Sequence, residues 1–283
     1  MKIFWCARYA RMDLLRAVGH LSRHLTKWTL ECDKRLFRLM CYLKHSKKQR
    51  MIGWVGDRIE PLNLHLYSDA NYGGDGNKST SGVHLMVEGP HTSFPIAGLS
   101  VIQTSISHST PEAEIVAGDL SLRKAGLPGL VMWELLKEGA SGGLAPGSEV
   151  CRDSGSNTSE QMATAAASGS RIRIRRELSE TSKQVKHGAN FDDSDEIPML
   201  IFHDDNTAMV QICRSGRSHT MRHLGKVHGI SVAMLRQEVH KPYMRLGAIP
   251  TKIMVADIHT KFYPSRLVAT WNDVRRLVNI FDP

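Results

Sequence analysis

The chain has 283 residues, of which 41% are hydrophobic and 23% are charged, and its formal net charge at pH 7 is +9. This composition is ordinary for a globular protein, and the length allows one large domain or two small ones. The five cysteines are odd in number and form no C-x-x-C pair, which argues against a disulfide framework and a cysteine zinc site. No apolar run approaches the roughly 18 residues of a membrane span. We therefore expect an intracellular protein, in a cytoplasmic particle or the nucleus, that is not secreted and does not bind membranes.

The positive charge is concentrated at the start of the chain. Residues 1–50 contain 13 Lys and Arg against 3 Asp and Glu, whereas the remainder contains 24 against 25. A basic segment of this kind could follow a nucleic-acid backbone through phosphate contacts. It is equally compatible with two amphipathic helices whose Lys and Arg side chains face solvent.

The first half of the chain predicts helices followed by strands. Apolar residues at helical spacing predict a basic helical hairpin over residues 11–25 and 31–45. From residue 61 apolar and polar residues alternate instead, which predicts a strand that runs into Asp69. Further strands are predicted at residues 82–88 and 94–102, so that three strands form an antiparallel meander.

A long helix is predicted next, over residues 110–138, with Thr110 as its N-cap and Pro111 in its first turn. Residues 139–196 are rich in Ser, Gly, Ala and Thr, and a structureless loop of that length is improbable inside a compact domain. We therefore predict a disordered insertion there. Its RIRIRR piece, residues 171–176, is either a nucleic-acid contact or solvated linker.

The last third of the chain returns to regular patterns. An apolar strand, two helices, another strand and a final helix are predicted at residues 198–204, 206–213, 221–239, 243–250 and 264–279. Together with the meander and the long helix, this order predicts a mixed α/β sheet.

Four acids are placed at the boundaries of these predicted elements. Sites that cleave phosphodiesters with two metal ions need several carboxylates that converge on hard divalent cations. One such acid alone is more often a surface carboxylate or a helix cap, so only their joint occurrence points to a metal site. In chain order they are Asp69, Glu114, Asp205 and Asp257.

Each of the four acids lies within a recognisable motif, and a fifth motif lies between the first two. The motifs are SDANYGG at residues 68–74, KSTSG at 78–82, HSTPEAEIVA at 108–117, DNTA at 205–208 and IPTKIMVADIHTK at 249–261. In this order they resemble the ribonuclease H domain of Copia-type long-terminal-repeat retrotransposon Pol polyproteins. Residues 11–23 are similar to the connection between reverse transcriptase and ribonuclease H in the same family.

The resemblance implies a ribonuclease H-like fold, a mixed five-stranded sheet with flanking helices that is preceded by the basic helical hairpin. It divides the chain into a connection segment (1–58) after a missing reverse transcriptase, a ribonuclease H-like domain (59–138 and 197–283) and the insertion (139–196). The implied activity is endonucleolytic hydrolysis of the RNA strand of RNA/DNA hybrids during reverse transcription, with two Mg²⁺ ions that Mn²⁺ can replace. The expected partners are the hybrid and the reverse transcriptase of the parent polyprotein, with no small-molecule substrate.

The resemblance also assigns roles to individual residues. It implies that the four acids are catalytic and bind metal, and its motifs select Glu114 over Glu112 and Asp205 over Asp204. Substrate contacts are expected from Ser109, Asn206, Arg222 and His223. Of these, Arg222 and His223 stand for the K-H of a T-K-H-I-D motif that is only partly matched. A shared metal role for His219, His223 and His228 is disfavoured, because their spacing does not keep three side chains on one helix face.

The sequence departs from the family pattern in ways that leave a second function open. The family's S-K-K-Q reads Ser100-Val101-Ile102-Gln103, so two lysines that could bind phosphate are missing. The Arg-Pro-Asp near the start reads Arg11-Met12-Asp13. The alternative is a catalytically inactive retrotransposon remnant that only binds nucleic acid.

Overall fold

The N-terminal part of the chain is helical. The structure is a computed structural model that describes residues 2–73, 78–141, 199–218 and 220–281. A 3₁₀ turn at Met12–Leu14 leads into the second of three helices, which are α1 (Lys2–Tyr9), α2 (Leu15–Ser22) and α3 (Leu30–His45). The two helices of the predicted hairpin correspond to α2 and α3, and α1 is an additional helix.

A mixed sheet of five strands forms the centre of the fold. The strands are β2 (Asn63–Asn71), β3 (Thr80–Gly89), β4 (Thr92–Ile102), β5 (Leu200–Asp204) and β6 (Met244–Ala248), in the order β4-β3-β2-β5-β6. The β2–β3 and β3–β4 pairs are antiparallel, whereas the β2–β5 and β5–β6 pairs are parallel. The predicted mixed α/β sheet with flanking helices is therefore confirmed. A separate small sheet pairs β1 (Arg50–Met51) with β7 (Ile280–Phe281).

The remaining helices flank this sheet. Between β4 and β5 lie α4 (Thr110–Ser121) and α5 (Leu127–Ser141), joined by a π-helical turn at Leu122–Gly126. Between β5 and β6 lie α6 (Thr207–Ser215), α7 (Leu224–Val227) and α8 (Val232–Val239). After β6 come α9 (Asp257–Thr260) and α10 (Val268–Leu277), with 3₁₀ turns at Thr251–Ile253 and Ser265–Leu267.

The sheet buries apolar side chains on both of its faces. Successive strand residues point to opposite faces, so Leu66 and Tyr67 belong to different layers. Leu66 packs in the larger core with Ile115 of α4 and Phe202 of β5. Tyr67 packs in a second core with residues of the β6–α10 segment, such as Ile258. A sheet covered on both sides can carry buried polar groups only at its strand ends or where they are paired.

The basic N-terminal helices pack directly on the rest of the chain. They share a core of their own that includes Leu14, Leu15 and Leu39. The buried Arg16 of α2 donates from Nε to the carbonyl oxygen of Thr260, over 3.0 Å. The segment interpreted as a connection at residues 1–58 is thus in contact with the segment that follows β6.

The structure corrects one predicted element in particular. The single helix predicted over residues 221–239 is wrong, because α7 and α8 are separated by a turn at Gly229. Gly229 has a φ of +68°, a left-handed conformation in which glycine avoids the steric cost of a side chain. The predicted insertion begins too early at residue 139, because residues 139–141 are the end of α5. The rest of it, residues 142–196 with the RIRIRR piece, lies outside the described residues. Among the described residues, no helix is long and apolar enough to cross a membrane.

Candidate metal centre

Three of the four predicted acids meet at one end of the sheet. Asp69 lies near the end of β2, and Asp205 directly follows β5. The two strands run parallel with Tyr67 beside His203, so both strands reach their acids two residues later. Glu114 joins them from α4, and one carboxylate oxygen from each of the three residues lies within 4.8 Å of the other two. Asp69 and Glu114 are buried and Asp205 is half-buried.

Glu114 is the acid of this group whose negative charge is least balanced by hydrogen bonds or positive charge. Its Oε2 is buried and has no hydrogen-bond partner among the described residues. Burial, followed by the neighbouring charges of Asp204, Asp69 and Asp205, raises the pKa of Glu114 to about 11. A buried carboxyl beside other carboxyls favours the protonated form unless a cation is present. The orphaned oxygen therefore fits a divalent cation in this position.

Asp69 is held in place by the short helix α9. The Thr260 hydroxyl donates a hydrogen bond to Oδ2 of Asp69. Burial raises the pKa of Asp69, and the nearby charge of Asp205 acts in the same direction, while Lys261 and Thr260 oppose it. The carboxylate that the motif selects is thus fixed by a threonine 191 residues further along the chain.

The helix α9 is itself anchored on β3 through two close approaches. A Cβ atom at Gly82 would lie 2.6 Å from Thr260 Cγ2 and 2.9 Å from the carbonyl oxygen of Ala256, so only glycine fits there. Two residues further along β3, and so on the same face, the buried ring of His84 contacts that of His259, with Nδ1 of His84 and Nε2 of His259 3.1 Å apart. Residues 257–261 are therefore placed by β3 as well as by their own helix.

Asp257, the fourth predicted acid, lies beside Asp69 and outside the group of three. It begins α9, and its Oδ1 forms an ion pair with Nζ of Lys261 at 2.6 Å. Burial and then the charge of Asp69 raise the pKa of Asp257 to about 7, although Lys261 opposes both. The structure thus brings Asp257 to the same end of the sheet and pairs it with a lysine that the sequence did not single out.

The choice of Asp205 over Asp204 agrees with the geometry. Asp204 is fully buried, and its two oxygens accept hydrogen bonds from Ser68 Oγ (2.7 Å) and from the backbone N–H of Asn206 (2.9 Å). Asp205 is half-buried, and its Oδ2 accepts a hydrogen bond from Thr251 Oγ1 at 2.8 Å. Both oxygens of Asp204 are therefore used in hydrogen bonds within the fold, whereas Asp205 faces Asp69 and Glu114.

The predicted substrate contacts occupy three different environments. Ser109 and Asn206 are the N-caps of α4 and α6, and their side-chain oxygens accept hydrogen bonds from Glu112 N and Met209 N. The predicted N-cap Thr110 is therefore wrong, since it is the first residue of α4 itself. Capping of this kind stabilises a helix whether or not substrate is present. Arg222 is exposed and lines a surface pocket of about 630 Å³ together with residues such as Arg217 and Ser231.

His223 is half-buried and belongs to a hydrogen-bonded group around Glu112 that the sequence did not reveal. Glu112 is 1% exposed, and its Oε1 accepts from Nε2 of both His223 (3.0 Å) and His228 (2.9 Å). Its Oε2 accepts from the backbone N–H of His108 at 2.9 Å. Glu112, over which the motif selects Glu114, therefore ties α4 to the segment that contains α7. The separation of 111 residues between Glu112 and His223 explains why no local pattern predicts the contact.

Comparisons with known proteins supply no family for this chain. No protein-family model, no curated protein and no solved structure matches it. The function proposed for this chain therefore rests on its own motifs and the geometry of its residues.

Proposed function

We propose that this chain is a metal-dependent nuclease that hydrolyses the RNA strand of RNA/DNA hybrids. We propose further that it is the ribonuclease H-like domain of a Copia-type retrotransposon Pol polyprotein. The proposed activity rests on the group of Asp69, Glu114 and Asp205. One carboxylate oxygen from each of them lies within 4.8 Å of the other two at the end of the sheet. The resemblance of the surrounding motifs supports the choice of substrate.

The residues present fit Mg²⁺ or Mn²⁺. All donors in the group are carboxylate oxygens, which hard divalent cations prefer. The buried, unpartnered Oε2 of Glu114 fits a cation-binding role, because leaving it without one forces the carboxyl to stay protonated. Asp69, Glu114 and Asp205 would hold the cation. When bound, such cations supply positive charge to the scissile phosphate and favour formation of the attacking hydroxide near neutral pH.

The chain's own contribution is a prearranged set of acids. Thr260 orients Asp69, and Thr251 orients Asp205, so neither carboxylate has to be ordered when substrate arrives. A fixed geometry of this kind holds the reacting groups at the positions and orientations that the reaction needs. The basic surface of residues 1–50 and the exposed Arg222 are suited to contact the phosphate backbone of the hybrid.

The test is cleavage of a labelled RNA/DNA hybrid in the presence of Mg²⁺ or Mn²⁺, in parallel with a reaction in which a chelator removes the metal. We expect metal-dependent cuts in the RNA strand, and their loss in Asp69→Asn and Glu114→Gln. Asp273→Asn is the matched control, because Asp273 is an exposed acid of α10 that pairs only with Arg276 in the described part of the chain. If the folded wild-type protein binds hybrid in the presence of chelator and never cuts it with metal, the nucleic-acid-binding alternative replaces the nuclease.

A further inference from the structure

We propose that the ammonium group of Lys261 takes the place of a second divalent cation between Asp69 and Asp257. This inference rests on the proposed nuclease function and concerns how many metal ions its site binds. The chain would then hold one ion on Asp69, Glu114 and Asp205, and Lys261 would supply the other positive charge from the protein itself.

The position of Lys261 carries the inference. Its Nζ lies 2.6 Å from Oδ1 of Asp257, a carboxylate that is only 6% exposed. The same ammonium group interacts electrostatically with Asp69 and Asp205. A cation that bound Oδ1 of Asp257 would compete with Lys261 for the same oxygen. Because the ammonium group would repel a divalent ion bound beside it, a second ion is disfavoured at Asp257 while Lys261 stays in place.

The pair also differs from an ordinary surface ion pair. Lysine and aspartate four residues apart on a helix often meet in solvent, where such pairs contribute little. Here Lys261 is half-buried, and it compensates a group of buried acids. Gly82 and His84 fix α9 from the side of the sheet, so Lys261 starts from an anchored backbone. The lysine is therefore placed by the fold next to the acids.

The number of bound ions tests the proposal without requiring activity. We would titrate the full chain with Mn²⁺ and measure free Mn²⁺ by electron paramagnetic resonance, for the wild type, Lys261→Met and Lys261→Gln. We expect one Mn²⁺ per wild-type chain. In both variants we expect a second Mn²⁺ that binds at least tenfold more tightly than any second ion on the wild type. Lys261→Arg keeps the charge and should bind one.

A matched lysine serves as control. Lys252 is exposed in the 3₁₀ turn at Thr251–Ile253, so Lys252→Met should bind one Mn²⁺ like the wild type. Two ions of similar affinity on the folded wild-type chain would overturn the role of Lys261 and leave the nuclease intact. Because two ions on the wild type would overturn the proposal by themselves, it can be refuted even if the Met and Gln variants do not fold. A folded wild-type chain that binds no Mn²⁺, with or without hybrid, would overturn both the inference and the proposed function.

Discussion

Gly82 lies directly opposite Asp69 in the antiparallel pairing of β2 with β3, and Thr260 fills the space that a side chain at position 82 would need. Thr260 in turn donates its hydroxyl to Asp69. Position 82 of the KSTSG motif therefore requires glycine because of its relation to Asp69. It lets α9 approach the sheet closely enough to orient that carboxylate.

Replacing Gly82 with alanine should displace α9. The new Cβ would lie 2.6 Å from Thr260 Cγ2, well inside van der Waals contact, so the helix has to move. We expect the free energy of unfolding to fall by about 1–3 kcal/mol, the usual cost of overpacking. We also expect weaker Mn²⁺ binding, because Asp69 loses its partner. Denaturant unfolding and Mn²⁺ titration measure the two effects.

Gly139→Ala is the control for this change. Gly139 is an exposed residue of α5 at which an added Cβ meets nothing within 4 Å. Alanine should stabilise the helix there by about 0.5–1 kcal/mol. Equal stability of Gly82→Ala and the wild type would contradict the close packing of α9 on β3.

Glu114→Gln should stabilise the metal-free protein. At pH 7 the folded chain keeps Glu114 protonated, since burial and the neighbouring acids raise its pKa to about 11, whereas the unfolded chain ionises it. Glutamine is neutral in both states and avoids that cost, so we expect a gain of roughly 1–3 kcal/mol in the free energy of unfolding. Because the variant lacks a cation ligand, excess Mg²⁺ should raise its melting temperature less than that of the wild type. Thermal unfolding with chelator and with Mg²⁺ checks both statements.

The metal-free protein should lose stability as pH rises above 7. Burial and neighbouring acids raise the pKa of Glu114 to about 11, so between pH 7 and 9 the folded state keeps a proton that the unfolded state has released. The pKa of Asp257 is raised only to about 7, so its contribution is largely lost near pH 7. A raised carboxyl pKa gives stability at low pH that disappears as pH rises through the folded-state value. Below about pH 6.5 buried histidines act in the opposite sense, because burial lowers the pKa of His84 to about 4. The informative range is therefore pH 7 to 9.

Urea unfolding at several pH values with chelator measures this slope. One proton of difference corresponds to about 1.4 kcal/mol per pH unit. We expect the slope to be smaller in Glu114→Gln, and Mg²⁺ affinity of the wild type to increase over the same range as protons leave the ligands. A metal-free stability that stays constant or increases from pH 7 to 9 would contradict the raised pKa values.

The sequence predicted the sheet better than it predicted contacts across the chain. Alternation in β2 and the turn after it are local patterns, and they located the meander and the acid Asp69. The break between α7 and α8 was missed because Gly229 is a single residue within an otherwise helical pattern. The short pairing of β1 with β7 joins strands more than 200 residues apart, and two-residue strands carry no periodicity.

The same distinction applies to the candidate site. The four acids could be located from sequence because each lies in a contiguous motif. The structure brings three of these acids together. Thr260 and Lys261 were visible as motif letters, but their contacts with Asp69 and Asp257 depend on where α9 packs. Glu112 differs, because its partners are histidines in a segment whose predicted helix was wrong.

Glu112→Gln tests whether those histidines matter for substrate. The change removes the charge that accepts hydrogen bonds from both His223 and His228, so we expect the free energy of unfolding to fall by about 1–3 kcal/mol. It should also weaken binding of an RNA/DNA hybrid, since Arg222 and His223 lose a fixed position, while Mn²⁺ binding stays unchanged. Glu134→Gln, at an exposed acid of α5, is the control. Calorimetric hybrid binding in chelator separates the effects: a destabilised variant that binds hybrid as tightly as the wild type would assign Glu112 to the fold alone.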